Sequence, residues 1–354
     1  MALEEWAHAL APLSPTPTAV RKLFAAVFAH GAPDLEALRE VPQVPARVRD
    51  HLLAHASLPS LQVLERRRAA DGFVKYLFAS PDGGRFEAVR IPLFEEKYVV
   101  CVSSQVGCAL ACDFCGTGRM GFQRNLATWE MVDQVLHVRS EADRPVRGVV
   151  FMGMGEPLLN AEEVLRAARI LSHPAGLAIA ARAISLSTAG VVPAIHRYVR
   201  AGHPYRLVFS LTSAVPEKRG RVMPIEATHP LPTLVAAIRA YAEERRERAM
   251  LAYVLISGFN TGREDAEALA RAFEGIPIKL ALIDVTDPTG RYRPPGPEEL
   301  AVFRDHLQVL KAPVARRYSG GKEIQAACGT LAATSIGGTL IHAAGAPEAL
   351  LHAS

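Results

Sequence analysis

The sequence predicts an α/β fold in which a parallel β-sheet is covered by helices. From Tyr98 onward, six short apolar segments alternate with amphipathic helical segments. Such alternation is typical of βαβ units, whose parallel strands are buried on both faces. The 354 residues are 49% hydrophobic and 21% charged, which suits one large globular domain and a smaller one. The sheet is therefore expected to be doubly wound or to form a full or partial barrel.

A small helical module is predicted over residues 1–58. Helical patterns, separated by Gly and Pro, cover residues 17–31, 34–41 and 45–56. A short β-extension follows over residues 59–97, with strand-like segments at 61–68, 73–80 and 85–93. Hairpin signals at Asp71-Gly72 and at Pro81-Asp82-Gly83-Gly84 separate these segments. We therefore expect a small sheet that leads into the alternating region.

The six predicted strands of the alternating region cover residues 98–104, 147–153, 182–188, 205–211, 250–257 and 278–284. The helices predicted between them cover residues 127–142, 161–171, 193–201, 231–248 and 262–275. A last helix over 297–310 and a strand over 314–319 precede a Gly-rich tail. Ligands of such sheets bind at the carboxyl ends of the strands, so residues that follow the strands are candidates for a site.

Composition excludes several classes of protein. No apolar run reaches the ~18 residues that a membrane helix needs, and Glu4 and Glu5 stand where a secretory signal carries basic residues. Five cysteines, of which three are clustered, indicate metal or redox chemistry in a reducing compartment. We expect a cytoplasmic protein without membrane contact. The net charge of +4 permits nucleic-acid binding without requiring it.

The cysteine cluster is the strongest chemical signal. Cys108, Cys112 and Cys115 follow the pattern Cys-x3-Cys-x2-Cys, and thiolates spaced so closely suit an iron-sulfur cluster or zinc. Structural zinc normally takes four ligands, and no further ligand stands nearby at zinc-finger spacing. Three thiolates would leave one iron of a four-iron cluster without a protein ligand, free to bind a cofactor or substrate.

Further candidates follow the next strands. Gly155 and Glu156 lie in a Gly-Met-Gly-Glu-Pro segment, and Ser187 and Ser210 close the third and fourth strands. In a purely structural interpretation, the glycines form a tight turn, Glu156 lies near a helix N-terminus that stabilises its carboxylate, and the serines are ordinary strand-end hydroxyls. The functional interpretation is that glycine lets the backbone approach a ligand while the carboxylate holds an ammonium group. Their position at strand ends favours the functional interpretation.

The cysteine pattern, with aromatic Phe114 before the last cysteine, resembles the radical S-adenosylmethionine superfamily. The resemblance implies a partial (β/α)6 barrel, here residues 98–320. It also implies a 4Fe-4S cluster on the three cysteines and S-adenosyl-L-methionine bound at the unique iron. By the same resemblance, Gly155, Glu156, Ser187 and Ser210 contact that cofactor.

A finer likeness rests on CVSSQVGCALACDFCGTGRMGFQRNL, GMGEPLLN, a Ser-Thr-Ala-Gly turn and AACGTL near the C-terminus. Together these resemble the RlmN/Cfr family of RNA methyltransferases, over about residues 16 to 340. The resemblance implies that Cys328, in a C-terminal segment over 321–354, carries a methyl group and forms a transient disulfide with Cys101. Glu87 matches the family's proton acceptor. The helical module would be a helix-hairpin-helix-like part that contacts RNA.

The same resemblance implies methylation of an adenine ring carbon, most simply carbon 2, in ribosomal RNA, transfer RNA or both. An electron donor such as flavodoxin or ferredoxin and a monomeric enzyme are expected. Two alternatives remain: the same machinery acting on another RNA site, a small molecule or a peptide, and a non-catalytic, metal-stabilised RNA-binding protein. Most charge runs are solvated faces, and the run Arg245, Arg246 and Arg248 at a helix end is interpreted as one. The other basic residues that could contact RNA are Arg66, Arg67, Arg68, Lys218, Arg219, Arg221, Arg316 and Arg317.

Three positions depart from the family pattern. Thr212 replaces a histidine after the fourth strand, and Thr286 replaces an asparagine after the sixth. Both keep a hydrogen-bonding hydroxyl, so the resemblance implies that they contact the cofactor as well. Gly320 stands where the family has an arginine upstream of the methyl-carrying cysteine. The loss of a guanidinium that could contact phosphate suggests a divergent paralogue with its own RNA target.

Overall fold

A computed structural model describes residues 1–94, 96–287 and 289–332. The strands are β1 (Gln62–Arg68), β2 (Val74–Ala79), β3 (Arg85–Leu93), β4 (Lys97–Cys101), β5 (Gln105–Gly107), β6 (Phe122–Asn125), β7 (Val146–Phe151), β8 (Ile184–Thr188), β9 (Arg206–Ser210), β10 (Ala249–Leu255), β11 (Ile278–Asp284) and β12 (Val314–Arg316). The α-helices are α1 (Leu3–Leu10), α2 (Pro17–Phe28), α3 (Ala46–His55), α4 (Gly116–Arg119), α5 (Thr128–Ser140), α6 (Ala161–Ser172), α7 (Val192–Arg200), α8 (Pro216–Val222), α9 (Leu231–Arg245), α10 (Arg263–Ala272) and α11 (Pro297–His306).

Six consecutive parallel strands form the centre of the molecule, in the order β4-β7-β8-β9-β10-β11. All six predicted strands are present, and the predicted helices lie between them. β12 adds a seventh parallel strand beside β11. Within the described residues no pairing joins β12 back to β1, so the sheet remains open, as a partial barrel does. The α/β prediction is confirmed.

The β-extension is part of the same sheet. β1, β2 and β3 pair antiparallel with one another, and β3 pairs antiparallel with β4. The three predicted strands are therefore correct, but they lengthen the central sheet to ten strands rather than form a sheet of their own. The pairing of Val89 with Cys101 brings β3 directly beside the end of the first barrel strand. This contact places the extension next to the cysteine loop.

The N-terminal helices pack around a hydrophobic cluster of their own, with Val20, Leu23, Val27 and Val48 at its centre. The sequence indicated α2 and α3 but not α1, whose eight residues begin almost at the N-terminus. The segment after α2 forms a short 3-10 helix, Glu36–Glu40. No helix in the described part of the chain is long and apolar enough to span a bilayer.

Candidate active site

The cysteine loop begins directly after β4 and is held by a small hairpin. β5 and β6 pair antiparallel, and the three cysteines lie between them. The amide of Cys108 donates to the carbonyl of Gly121 at 2.9 Å, and the amide of Cys115 donates to the carbonyl of Cys112 at 3.0 Å. A Cβ on Gly118 would lie 2.7 Å from the carbonyl oxygen of Cys112. Glycine at this position lets the loop close tightly around its three thiols.

The donor set fits a thiolate-bound cluster. Burial raises the pKa of Cys108 to about 12 and also raises the pKa values of Cys112 and Cys115. Such thiols lose their protons when they bind a metal cation. Among the described residues, no three His, Cys, Asp or Glu side chains are arranged to hold one metal ion. In an iron-sulfur cluster each thiolate binds a different iron, so the three thiols need not converge on one point.

The three thiols face a cavity at the carboxyl ends of the strands, which we call the inner chamber. Its lining includes most of the residues predicted from the sequence to bind the cofactor: Cys108, Cys112, Cys115, Gly155, Glu156, Ser187, Ser210 and Thr286. Two buried oxygens of lining residues, Thr286 Oγ1 and Asp284 Oδ1, have no hydrogen-bond partner among the described residues. Buried polar atoms are normally paired, so these two fit a polar ligand in the chamber.

The segment that contains Gly155 and Glu156 forms one wall of the inner chamber. Gly155 has φ +100°, and a Cβ there would lie 2.5 Å from Cβ of Gln105, so only glycine fits. Glu156 Oε1 accepts from the amide of Leu158 at 3.0 Å, and Oε2 from the amide of Ala189 at 2.8 Å. Burial raises the pKa of Glu156 to about 7, although these two amides oppose the shift. The carboxylate thus fixes the turn and joins it to the end of β8.

Two hydroxyls on neighbouring strands also line the inner chamber. The Oγ atoms of Ser187 and Ser210 lie 3.1 Å apart and share a hydrogen bond. Thr212, two residues beyond, does not line the chamber. It is fully buried with φ +59°, and its carbonyl accepts from Asn260 Nδ2 at 2.6 Å. The structure therefore brings Ser187, Ser210 and Thr286 to the predicted site but not Thr212.

The two remaining cysteines lie beside a second cavity, which we call the outer groove. Cys101 lines the outer groove, whereas Cys328 lines both this groove and the inner chamber. Both thiols are free. Burial and the neighbouring thiol of Cys328 raise the pKa of Cys101 to about 12, while the guanidinium of Arg317 acts in the opposite direction. The pair predicted from the sequence is therefore brought together at the boundary between two cavities.

The backbone around Cys328 is bound to the cysteine loop. The amide of Gly116 donates to the carbonyl of Gly329 at 2.7 Å, and Thr117 Oγ1 donates to the carbonyl of Leu331 at 2.6 Å. On the other side, the amide of Cys328 donates to Oγ of Ser319 at 3.1 Å. These bonds fix the position of the Cys328 segment relative to the cysteine loop.

Glu87 lies apart from both cavities. Its side chain is fully buried in β3, where Lys75 Nζ approaches Oε1 to 2.9 Å as an ion pair without the alignment of a hydrogen bond. Its Oε2 accepts from the amide of Ala332 at 3.0 Å. Glu87 thus contacts the tail that follows Cys328, but it lines neither the inner chamber nor the outer groove.

Two further contacts were not anticipated. Arg119 forms a two-pronged hydrogen bond to Asp287, with N–O distances of 2.8 and 3.2 Å. Asp113, inside the cysteine loop, accepts from the hydroxyl of Tyr292 at 2.5 Å. Both contacts tie the cysteine loop to the segment after β11, which also carries Thr286. Their partners are more than 160 residues apart in sequence, so no local pattern signals them.

Several of the basic residues proposed to contact RNA are already engaged. Arg219 is fully buried, pairs with Glu226 and donates to the carbonyl of Ala189 at 2.7 Å, so it cannot contact RNA. Lys218 Nζ lies 2.8 Å from Asp265 Oδ1. By contrast, Arg317 has no acidic partner among the described residues and lies at the junction of the two cavities.

Comparison with known proteins gives concordant results. The family model described as the radical SAM superfamily matches residues 102–272. A protein named "Probable RNA methyltransferase" from Myxococcus xanthus is 74% identical over 96% of this chain and 95% of its own length. The "Dual-specificity RNA methyltransferase RlmN" of Syntrophobacter fumaroxidans is 40% identical over 94% of this chain and 95% of its own. The crystal structure of a radical SAM methyltransferase from Sphaerobacter thermophilus superposes with a TM-score of 0.87, at 35% identity, covering 94% of this chain and 98% of that one.

Proposed function

This chain belongs to the RlmN/Cfr family of radical S-adenosylmethionine RNA methyltransferases, and on that premise we propose that it methylates carbon 2 of an adenine in ribosomal RNA, transfer RNA or both. The observation that carries the proposal is the position of Cys328, which lines the inner chamber with the three clustered cysteines and the outer groove with Cys101. A carrier thiol there can receive a methyl group from one cavity and deliver it to a base in the other.

The inner chamber suits the two cofactors. Cys108, Cys112 and Cys115 would bind three irons of a 4Fe-4S cluster, and Gly155, Ser187, Ser210 and Thr286 would contact S-adenosylmethionine. When bound, one molecule of S-adenosylmethionine would supply a methyl group for Cys328, and a second molecule, with one electron from the cluster, would supply the 5′-deoxyadenosyl radical that removes one hydrogen atom from the S-methyl group. The unpaired oxygens of Thr286 and Asp284 support a polar ligand at this position.

The thiols carry the remaining steps. Cys328 loses its proton, and its sulfur would form the bond to the methyl carbon while the bond from that carbon to the sulfonium sulfur of S-adenosylmethionine breaks, which leaves S-adenosylhomocysteine. Once that carbon has bonded to the ring, the adduct must lose one proton from carbon 2 and one electron, which the cluster, if bound, would take back. The thiolate of Cys101 then attacks the sulfur of Cys328. A sulfur–sulfur bond forms, the sulfur–carbon bond breaks, and the released carbon takes its electron pair and a proton to become the methyl group.

Glu87 is proposed to accept the proton from carbon 2. Its carboxylate is held by Lys75 and by the amide of Ala332, so proton transfer would require the tail beyond Cys328 to shift when RNA enters. Two electrons from a donor such as flavodoxin, ferredoxin or a dithiol would afterwards reduce the disulfide between Cys101 and Cys328. We further propose that the enzyme acts as a monomer.

The decisive experiment is anaerobic reconstitution of the cluster followed by incubation with S-adenosylmethionine. Peptide mass spectrometry should find a methyl group on Cys328, and 5′-deoxyadenosine should form when RNA is added. The matched control is Cys328→Ala, in which the cluster cysteines are intact. This variant should carry no methyl group at position 328 and should form no 5′-deoxyadenosine when RNA is added. If Cys328 in the wild-type protein carries no methyl group under any condition, the proposal is wrong.

The RNA target is tested by nucleoside mass spectrometry of ribosomal and transfer RNA from a deletion strain and its parent. A 2-methyladenosine that is missing from the deletion strain supports the proposal and identifies the RNA. If Cys328 is methylated but adenosine in both RNA classes is unchanged, the same machinery acts on a different RNA site, a small molecule or a peptide.

A further inference from the structure

We propose that Tyr318 is a stacking platform for an unpaired RNA base next to the target adenine. This inference rests on the proposed function, because it names the feature of the RNA that the outer groove selects. Tyr318 lies at the rim of the groove, ten residues before Cys328, and its side chain is 72% exposed. An exposed aromatic ring at the edge of a reactive cavity is suited to a planar ligand.

The ring is held in one place although it is exposed. The hydroxyl of Tyr318 donates to Asp71 Oδ2 at 2.8 Å, and its ring meets Phe73 edge-on, with 6.1 Å between centroids and 68° between planes. The same carboxylate oxygen accepts from the amide of Gly321 at 2.8 Å. A side chain fixed in advance loses little conformational entropy when a ligand stacks on it.

Gly320 is the residue that permits this arrangement. A Cβ at position 320 would lie 2.4 Å from the ring of Phe73, 2.5 Å from Asp71 Oδ2 and 2.6 Å from the ring of Tyr318. No side chain, including the arginine expected from the family pattern, can occupy that position while Tyr318 keeps its place. The absence of an arginine at position 320 is therefore what allows the ring of Tyr318 to be held against Asp71 and Phe73.

The surroundings favour an unpaired nucleotide over a purely apolar partner. Arg317 lines the same groove without an acidic partner among the described residues, and Arg316, paired with Asp284 at 2.6 Å, lies beside it. Phe94, 82% exposed, provides a second aromatic ring at the rim. Aromatic rings that stack with bases, next to cations that contact phosphate, are the usual means of binding single-stranded RNA. Base-paired RNA would have no free base face for Tyr318.

The test is a binding measurement with the cluster-loaded protein. The two probes are an RNA hairpin with unpaired adenosines in its loop and a fully paired duplex of the same length. Tyr318→Ala should weaken hairpin binding about tenfold, since a base stacked on an aromatic side chain contributes ~1–3 kcal/mol. Duplex binding should change less than about twofold, because it depends mainly on phosphate contacts. Tyr318→Phe keeps the ring but loses the hydrogen bond to Asp71. Its affinity for the hairpin should lie between those of Tyr318→Ala and wild type.

Val309→Ala is the matched control, because Val309 is exposed but lies near the amino ends of β10 and β11. Equal hairpin affinities for Tyr318→Ala, Val309→Ala and wild type would overturn the inference. A loss that is equally large for hairpin and duplex would also overturn it, since stacking requires a free base.

A hairpin with an abasic residue beside the target adenosine separates stacking from other effects. Tyr318→Ala and wild type should bind this probe with equal affinity, because the stacking partner is already absent. If Tyr318→Ala still binds the abasic probe about tenfold more weakly than wild type, stacking is not the cause of its lower affinity. Failure of the proposed function has a different signature, since an unmethylated Cys328 or unmodified RNA leaves these binding ratios unaffected.

Discussion

The amide of Gly116 is hydrogen-bonded to the carbonyl of Gly329 at 2.7 Å. Gly116 follows the last cysteine of the cysteine loop, and Gly329 follows the proposed methyl carrier, so one bond joins the two segments. Thr117, the next residue, donates its hydroxyl to Leu331 in the same segment. The position of Cys328 therefore depends on the cysteine loop, although more than 200 residues separate them in sequence.

Thr117→Val should loosen the Cys328 segment without removing a metal ligand. The substitution leaves the buried carbonyl of Leu331 without its partner, at a cost of about 1–3 kcal/mol. Hydrogen exchange of the amides from Gly329 to Leu331 should become faster, and methylation of Cys328 should slow, while iron content stays at the wild-type level. Unchanged exchange in this segment would show that Thr117 does not hold it.

Gly155→Ala should strain the inner chamber. The alanine would have to adopt φ +100° with its Cβ 2.5 Å from Gln105, and we expect a loss of about 2–4 kcal/mol in the free energy of unfolding. Gly258→Ala is the control, because Gly258 also has a positive φ, +66°, but no atom lies within 4 Å of the position that its new methyl group would take. Gly258→Ala should lower the free energy of unfolding by only about 1 kcal/mol. Equal denaturation midpoints for the two variants would contradict the expectation.

Cys101→Ala should trap the RNA on the protein. Without the attacking thiol, the bond between the sulfur of Cys328 and the methylene carbon has no route to cleavage, so denaturing gels should show a covalent protein–RNA adduct. The double variant Cys101→Ala/Cys328→Ala should form none. Normal turnover by Cys101→Ala would remove this residue from the reaction.

Release of the product should accelerate with pH. Because the pKa of Cys101 is raised to about 12, the thiol is protonated near neutrality, and its thiolate fraction grows roughly tenfold per pH unit below that value. The guanidinium of Arg317 lowers the pKa of Cys101. Arg317→Met should therefore raise that pKa further and lengthen the lifetime of the adduct at every pH. Arg317→Lys, which keeps a positive charge, should restore much of the rate of adduct cleavage. Rapid-quench measurements of adduct decay between about pH 6.5 and 8.5 test both points. A lifetime independent of pH would contradict this role for Cys101.

Lys75→Met should destabilise the fold strongly. It would leave the carboxylate of Glu87 buried and unpaired, which typically costs ~3–5 kcal/mol. The double variant Lys75→Met/Glu87→Leu should regain most of this loss, because it buries no charge. Arg66→Ala, which breaks a solvent-exposed pair with Glu141, should cost less than about 1 kcal/mol. The stabilities of Lys75→Met, the double variant and Arg66→Ala are compared by their midpoints of urea denaturation. A midpoint for Lys75→Met close to that of Arg66→Ala would show that buried Glu87 does not need the charge of Lys75.

The sequence by itself determined the α/β class, all six barrel strands, the three strands of the extension and the three clustered cysteines. These features have local signals, because strand periodicity and ligand spacing are set by neighbouring residues. Only the tertiary structure decided which candidates meet. It brings Cys101, Cys328 and Arg317 to one boundary, leaves Thr212 outside the inner chamber, and buries Glu87 against Lys75 and Ala332. The contact between Tyr318 and Asp71 joins residues 247 apart. Such contacts depend on how distant segments pack, which no single stretch of sequence encodes.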